Sequence, residues 1–157
     1  MMEEVQAVLC FVFIDGKLLM INRHKPPFMG LWNAVGGKTE KGEDTLDTAV
    51  REIHEESGIK VDKENLYLLS RFTWNYDDQV SYAYVCNVNK VDKKFPFLYE
   101  EGIIDLKEID WVLNDKNYGI IEDLRVFIED IKKNRKRNYH LTYNESKLIK
   151  VEITGEN

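Results

Sequence analysis

Residues 44–57, DTLDTAVREIHEES, constrain the chain more than any other stretch. At roughly 100° per residue, Leu46, Ala49, Val50 and Ile53 fall on one stripe of an α-helix. Asp44 suits the N-cap, and Gly58 suits the position just past the C-terminus. Glu52, Glu55 and Glu56 occupy an adjoining arc at spacing i, i+3, i+4. Like charges at those spacings repel by roughly 0.2–0.5 kcal/mol per pair. One face of this helix must therefore lie on a core while the neighbouring edge presents carboxylates. Either water covers that edge, or a positive charge supplied from outside matches it.

The flanks say what the helix packs on. Runs 5–14 and 17–23 are aliphatic and aromatic, and Asp15-Gly16 between them predicts a hairpin. Residues 24–43 hold two of the three prolines and four of the nine glycines, a long structured loop with a short strand at 32–36. Two strands, 65–74 and 79–88, follow around the polar turn 75–78. Residues 95–105 read as a loop, 108–113 as a short strand and 118–136 as a helix ending in cations. Segments 139–143 and 147–153 predict a terminal hairpin. Strands outnumber helices and mostly run as hairpins, so the expected class is α+β, a mixed or antiparallel sheet sandwiched by helices. A length of 157 residues suits one domain, 1–157, and no repeat or linker divides it.

A net charge of −6 argues against binding nucleic acid through a basic surface. Nucleotides remain open, because metal ions bridge acidic groups to phosphates. Cys10 and Cys86 lie in apolar runs, as buried reduced thiols of a cytoplasmic protein do. The N-terminus has acids before its apolar run and a charged turn inside it, unlike a signal peptide or a membrane span.

Hard divalent cations take oxygen ligands, and Mg²⁺ is held by a few carboxylates plus phosphates and water. The three glutamates fit that need, although their spacing alone fits a solvated edge as well. Their surroundings are more specific. Gly37, Glu43, Arg51, Glu52, Ile53, Glu55, Glu56, Gly58 and Ile59 match, with no departure, the Nudix box: Gly, five residues, Glu, seven residues, Arg-Glu, an aliphatic, one residue, Glu-Glu, one residue, Gly, an aliphatic. The chain thus resembles the Nudix hydrolase family. The resemblance implies an α/β/α sandwich with a C-terminal hairpin, and hydrolysis of a nucleoside diphosphate linked to another group with Mg²⁺ or Mn²⁺. It implies that Glu52, Glu55 and Glu56 bind metal, with Gly37 giving backbone access to it. Glu55 would accept the proton of the attacking water, and Arg51 would orient the carboxylates, with Glu43 as its partner or as an outer-sphere metal ligand. Glu100, ahead of Glu101 in a later loop, would add one more acid. His54 points away from these ligands.

The substrate lies outside the box. GLWNAVGGK, residues 30–38, is similar to a segment of the MutT-like branch, which hydrolyses oxidised purine nucleoside triphosphates. The resemblance implies that Asn33 reads the purine. Trp32 suits the core or a pocket wall, and Lys38, after the glycine pair, either meets phosphate or is solvated. Asp115 stands where that branch carries the first of two base-reading acids, with Lys116 in place of the second. Tyr76 resembles instead a tyrosine of dinucleoside-polyphosphate hydrolases. The implied partner is a small nucleotide, with no nucleic acid and no membrane, for a monomer or homodimer.

Overall fold

The computed structural model describes residues 4–157. Residues 1–3, on which part of the N-terminal reading rests, lie outside the described residues. Among the described residues nine strands form one sheet: β1 (Gln6–Ile14), β2 (Lys17–Arg23), β3 (Trp32–Lys38), β4 (Tyr67–Trp74), β5 (Val80–Val88), β6 (Phe97–Tyr99), β7 (Gly102–Lys107), β8 (Arg137–Asn144) and β9 (Lys147–Glu156). Their spatial order is β6-β7-β2-β3-β1-β5-β4-β8-β9. β1 runs parallel to β5, from Gln6 opposite Val80 to Ile14 opposite Val88, and β4 runs parallel to β8. The other pairs are antiparallel, so the sheet is mixed, as expected.

Helices cover both faces, which explains why β1 and β2 are apolar at nearly every position. Val8, Cys10, Val12 and Ile14 join Ala49 and Ile53 of α1 (Thr45–Ser57) in one core. Leu9 and Phe11 point the other way, into a core with Val112 of α2 (Ile109–Leu113) and Leu124, Phe127 and Ile128 of α3 (Asp123–Lys132). Cys10 and Cys86 are both buried free thiols. Among the described residues no helix is long and apolar enough to cross a membrane.

Four local expectations change. The β1–β2 hairpin pairs only Phe13 with Leu18 and Ile14 with Lys17. Beyond that turn both strands keep free edges, and β3 enters between them, setting Val35 opposite Cys10 and Ala34 opposite Met20. The stretch 95–105 is a hairpin, β6–β7, because β7 pairs along the outer edge of β2, with Ile104 opposite Ile21. The stretch 108–113 is helical, with the Val112 N–H donating to the Glu108 carbonyl at 3.2 Å. The helix expected from 118 begins at Asp123, because β3 claims the residues before it. The Trp32 N–H donates to the Gly119 carbonyl at 2.7 Å, and the Ile121 N–H to the Trp32 carbonyl at 3.0 Å.

Candidate active site

The box helix forms as its sequence indicates. Asp44 caps it, its side chain accepting from the Asp47 N–H at 2.8 Å, and Gly58 ends it at φ 78°. The acidic edge is not free of local partners. Arg51 Nε and Nη2 grip both oxygens of Glu43 at 2.8 and 3.0 Å. Its Nη1 donates to Glu52 at 2.9 Å and to Glu55 at 3.2 Å, and its Nη2 also donates to the Lys38 carbonyl at 3.1 Å. One guanidinium thus holds three carboxylates and the end of β3. Its hydrogen bonds draw the Glu43 carboxyl down to about 2.

Glu56 lies apart from Arg51. It is 3% exposed and accepts the Gly36 N–H at 3.1 Å. Burial first, and the charge of Glu52 second, push its carboxyl up to about 9. Burial also raises Glu52, partly offset by Arg51. The glycine pair makes this proximity possible. A Cβ on Gly36 would lie 2.1 Å from the Val8 carbonyl oxygen, and one on Gly37 would lie 2.4 Å from Glu52 Oε1. Gly37 leaves the space that the Glu52 carboxylate fills.

A cavity of about 480 Å³ joins this edge to the rest of the sheet. Gly36, Gly37, Lys38 and Glu56 line it, as do Arg23, Asn33 and Asp123. Lys38 is exposed, and Asn33 uses its side-chain oxygen to accept the Ala34 N–H at 2.9 Å, leaving its amide group for other partners. Asp115 is exposed in the α2–α3 turn and does not line the cavity. Asp123 does, with 7% exposure and an Oδ1 without a partner among the described residues. Burial pushes its carboxyl up to about 7, against the pull of the Tyr143 hydroxyl. Sequence reasoning placed Asp123 inside a longer helix and so missed it. Trp32 packs against the α3-side core and does not line the cavity. Its ring meets Trp111 edge-on at 6.4 Å, under the Lys107 ammonium at 4.4 Å.

The β6–β7 turn brings its own acids. The charge of Glu101 raises both Glu52 and Glu56, and Glu100 beside it is exposed. Tyr99 stands among all these acids, its phenol pushed up to about 12 by burial and then by Glu101, Glu56, Glu100 and Glu55. Opposing them is Arg23, whose charge lowers Glu56 and whose Nε has no partner among the described residues. Tyr76 lines an adjoining cavity of about 500 Å³ that shares Phe28 and Trp74 with the first, and its hydroxyl donates to the Glu145 carbonyl. His54 is exposed on α1.

Among the described residues no three acidic, His or Cys side chains converge on one point. Arg51 draws Glu52 and Glu55 aside, and Gly36 holds Glu56. The donor set still fits a hard divalent cation. It is all oxygen, it lies within one turn of helix, and Glu52 and Glu56 repel each other in a partly dry place.

A NUDIX domain model matches residues 4–130. The chain belongs to the Nudix family. Among curated relatives, a methanol dehydrogenase activator of Bacillus methanolicus is 26% identical over 96 residues, 60% of this chain and 52% of that protein. A Nudix hydrolase of Bacillus subtilis is 40% identical over 52 residues, 33% of this chain and 31% of that one. The chain spans about half or less of the length of these relatives. A MutT protein structure from Bacillus halodurans superposes with TM-score 0.73 at 23% identity, covering 96% of this chain and 97% of that one. The Nudix domain of Shewanella oneidensis NrtR, solved with ADP ribose, gives 0.68 at 19%, covering 85% and 90%. At these identities the structures share the fold.

Proposed function

We propose that the chain is a divalent-metal-dependent hydrolase of nucleoside diphosphate-linked substrates. Its preferred substrate would be a purine nucleoside triphosphate, oxidised or normal, cut to the monophosphate and pyrophosphate. The observation that supports this most is the cavity that sets Asn33 and Asp123 within the same space as Gly37, Lys38 and Glu56. An amide and a carboxyl read a base edge by donating and accepting, while the helix edge meets phosphate. The MutT-like resemblance calls for paired acids ahead of the terminal hairpin, and Glu122-Asp123 supply a pair there in place of Asp115 and Lys116. The NrtR domain of the same fold carries ADP ribose, a ligand of the same chemical class.

Glu52, Glu55 and Glu56 would hold Mg²⁺ or Mn²⁺, with the Gly37 backbone beside them and Glu101, rather than Glu100, as the added acid. A bound divalent cation supplies charge neutralisation at the phosphates and a more acidic attacking water. Glu55, the most exposed of the three, accepts the water's proton. Arg51 orients Glu52 and Glu55 through its hold on Glu43. Arg23 and Lys38 carry positive charge to the phosphates. Residues 1–157 would act as one domain, in the cytoplasm.

Incubation with Mg²⁺ and a panel of nucleoside triphosphates, dinucleoside polyphosphates and nucleotide sugars tests this. Pyrophosphate release from a purine triphosphate is expected. Orthophosphate alone, or turnover confined to dinucleoside polyphosphates, overturns the triphosphate reading. Turnover that survives both Glu55→Gln and Glu56→Gln overturns the roles given to those carboxylates.

A further inference from the structure

On β9, Ile149, Val151 and Ile153 stand at every second position and are 59%, 42% and 53% exposed. The register with β8 sets Val151 opposite Leu141 and Ile153 opposite Tyr139, both buried on the α3 side of the sheet. Opposite residues of an antiparallel pair share a face. Val151 and Ile153 therefore prolong the α3-side core to the edge of the sheet, and Ile149 follows at a bulge of β9, beside Leu148 opposite Tyr143. β9 is the last strand there, and among the described residues nothing pairs with its outer side. An apolar edge of this length recruits another strand unless something blocks it.

We propose that the partner is a second copy of the chain, β9 pairing antiparallel with β9 about a two-fold axis through Val151. The strand is self-complementary about that residue. Val151 faces the partner's Val151, Ile149 faces the partner's Ile153, and Lys150 faces the partner's Glu152. Shifting the axis to residue 150 opposes two lysines, and shifting it to 152 opposes two glutamates. An axis between residues sets apolar side chains against charged ones on the wrong face. Lys150 and Glu152 already share a face, their charged groups 3.0 Å apart within one chain, so the exchange across the axis needs only side-chain rotation. The two sheets join into one, and the interface is isologous. The cavity reaches from β3 to Phe72 and Trp74 of β4, and no residue of β9 lines it.

Sedimentation at micromolar concentrations is expected to return twice the 18.5 kDa mass of one chain. Val151→Lys sets two ammonium groups face to face and is expected to return the single-chain mass, with unchanged circular dichroism and turnover per chain. Lys150→Glu alone is expected to weaken the dimer by roughly tenfold, as two symmetric pairs pass from attraction to repulsion. Adding Glu152→Lys to it restores the dimer. Both sites are exposed, so these charge changes leave folding intact. A single-chain mass for the unaltered protein overturns the proposal. So does a dimer that Val151→Lys leaves whole, or one that the double charge exchange does not rescue.

Discussion

Arg51 shows how one residue sets the state of several others. Its planar fork satisfies Glu43 with two bonds and still reaches Glu52 and Glu55. A lysine offers a point charge without that fork. Arg51→Lys is expected to lower turnover roughly 10–100-fold, the usual effect of losing a residue that orients metal ligands. A turnover equal to that of the unaltered protein would contradict the positioning role. Asp123 makes a different test. Its carboxyl rises from the ordinary 3.8 to about 7 through burial. Between those values the folded chain keeps a proton that the unfolded chain has lost. This contribution to stability is full below about pH 4 and gone above about pH 7. Melting temperature should therefore fall less steeply from pH 5 to pH 8 in Asp123→Asn, and equal slopes would refute it. Glu43 has the opposite sign: its contribution is present above 4.5 and is lost as pH falls towards 2. The Arg51 cluster was legible in the sequence through the resemblance to the Nudix box, because Glu43 precedes the helix and only Glu55 stands one helical turn from Arg51. Asp123 was not legible, because hydrogen bonds from distant β3 determine where its helix starts.

At the scale of elements, α1 depends on its cap. Asp44→Ala removes an acceptor for the Asp47 N–H and should cost about 1 kcal/mol, or about 2–4 °C in melting temperature. A thermal scan reads this directly. The β6–β7 hairpin offers a sharper contrast. Its turn directs the charge of Glu101 at Glu52 and Glu56 and leaves Glu100 exposed. Glu101→Gln should raise the Mg²⁺ concentration for half-maximal rate roughly tenfold. Glu100→Gln should leave it unchanged, and the reverse result would return the added acid to Glu100. Local pattern could not reveal this hairpin. A strand of three residues has little periodicity, and its partner β7 is held by β2, some eighty residues away in sequence.

Across the whole molecule, the proposed function would have a chain of net charge −6 take an anionic substrate. A divalent cation should therefore be needed for nucleotide to bind. Mg²⁺ with a non-hydrolysable nucleoside triphosphate should raise the melting temperature more than either alone, by about 2.7 kcal/mol of stability at a hundredfold excess over Kd. Nucleotide stabilising equally well in chelator would contradict this. The sequence by itself determined the acidic helix, its caps, the strands that flank it and the unbroken apolar run that buries both faces of β1. Those are short-range properties, set by side-chain period and backbone chemistry within a few residues. Only the tertiary structure decided that β3 divides β1 from β2, that Glu101 and Arg23 face the box carboxylates, and that Asp123 shares a cavity with Asn33. Strand order and register arise from backbone hydrogen bonds and core packing between distant segments, and no local spacing encodes them.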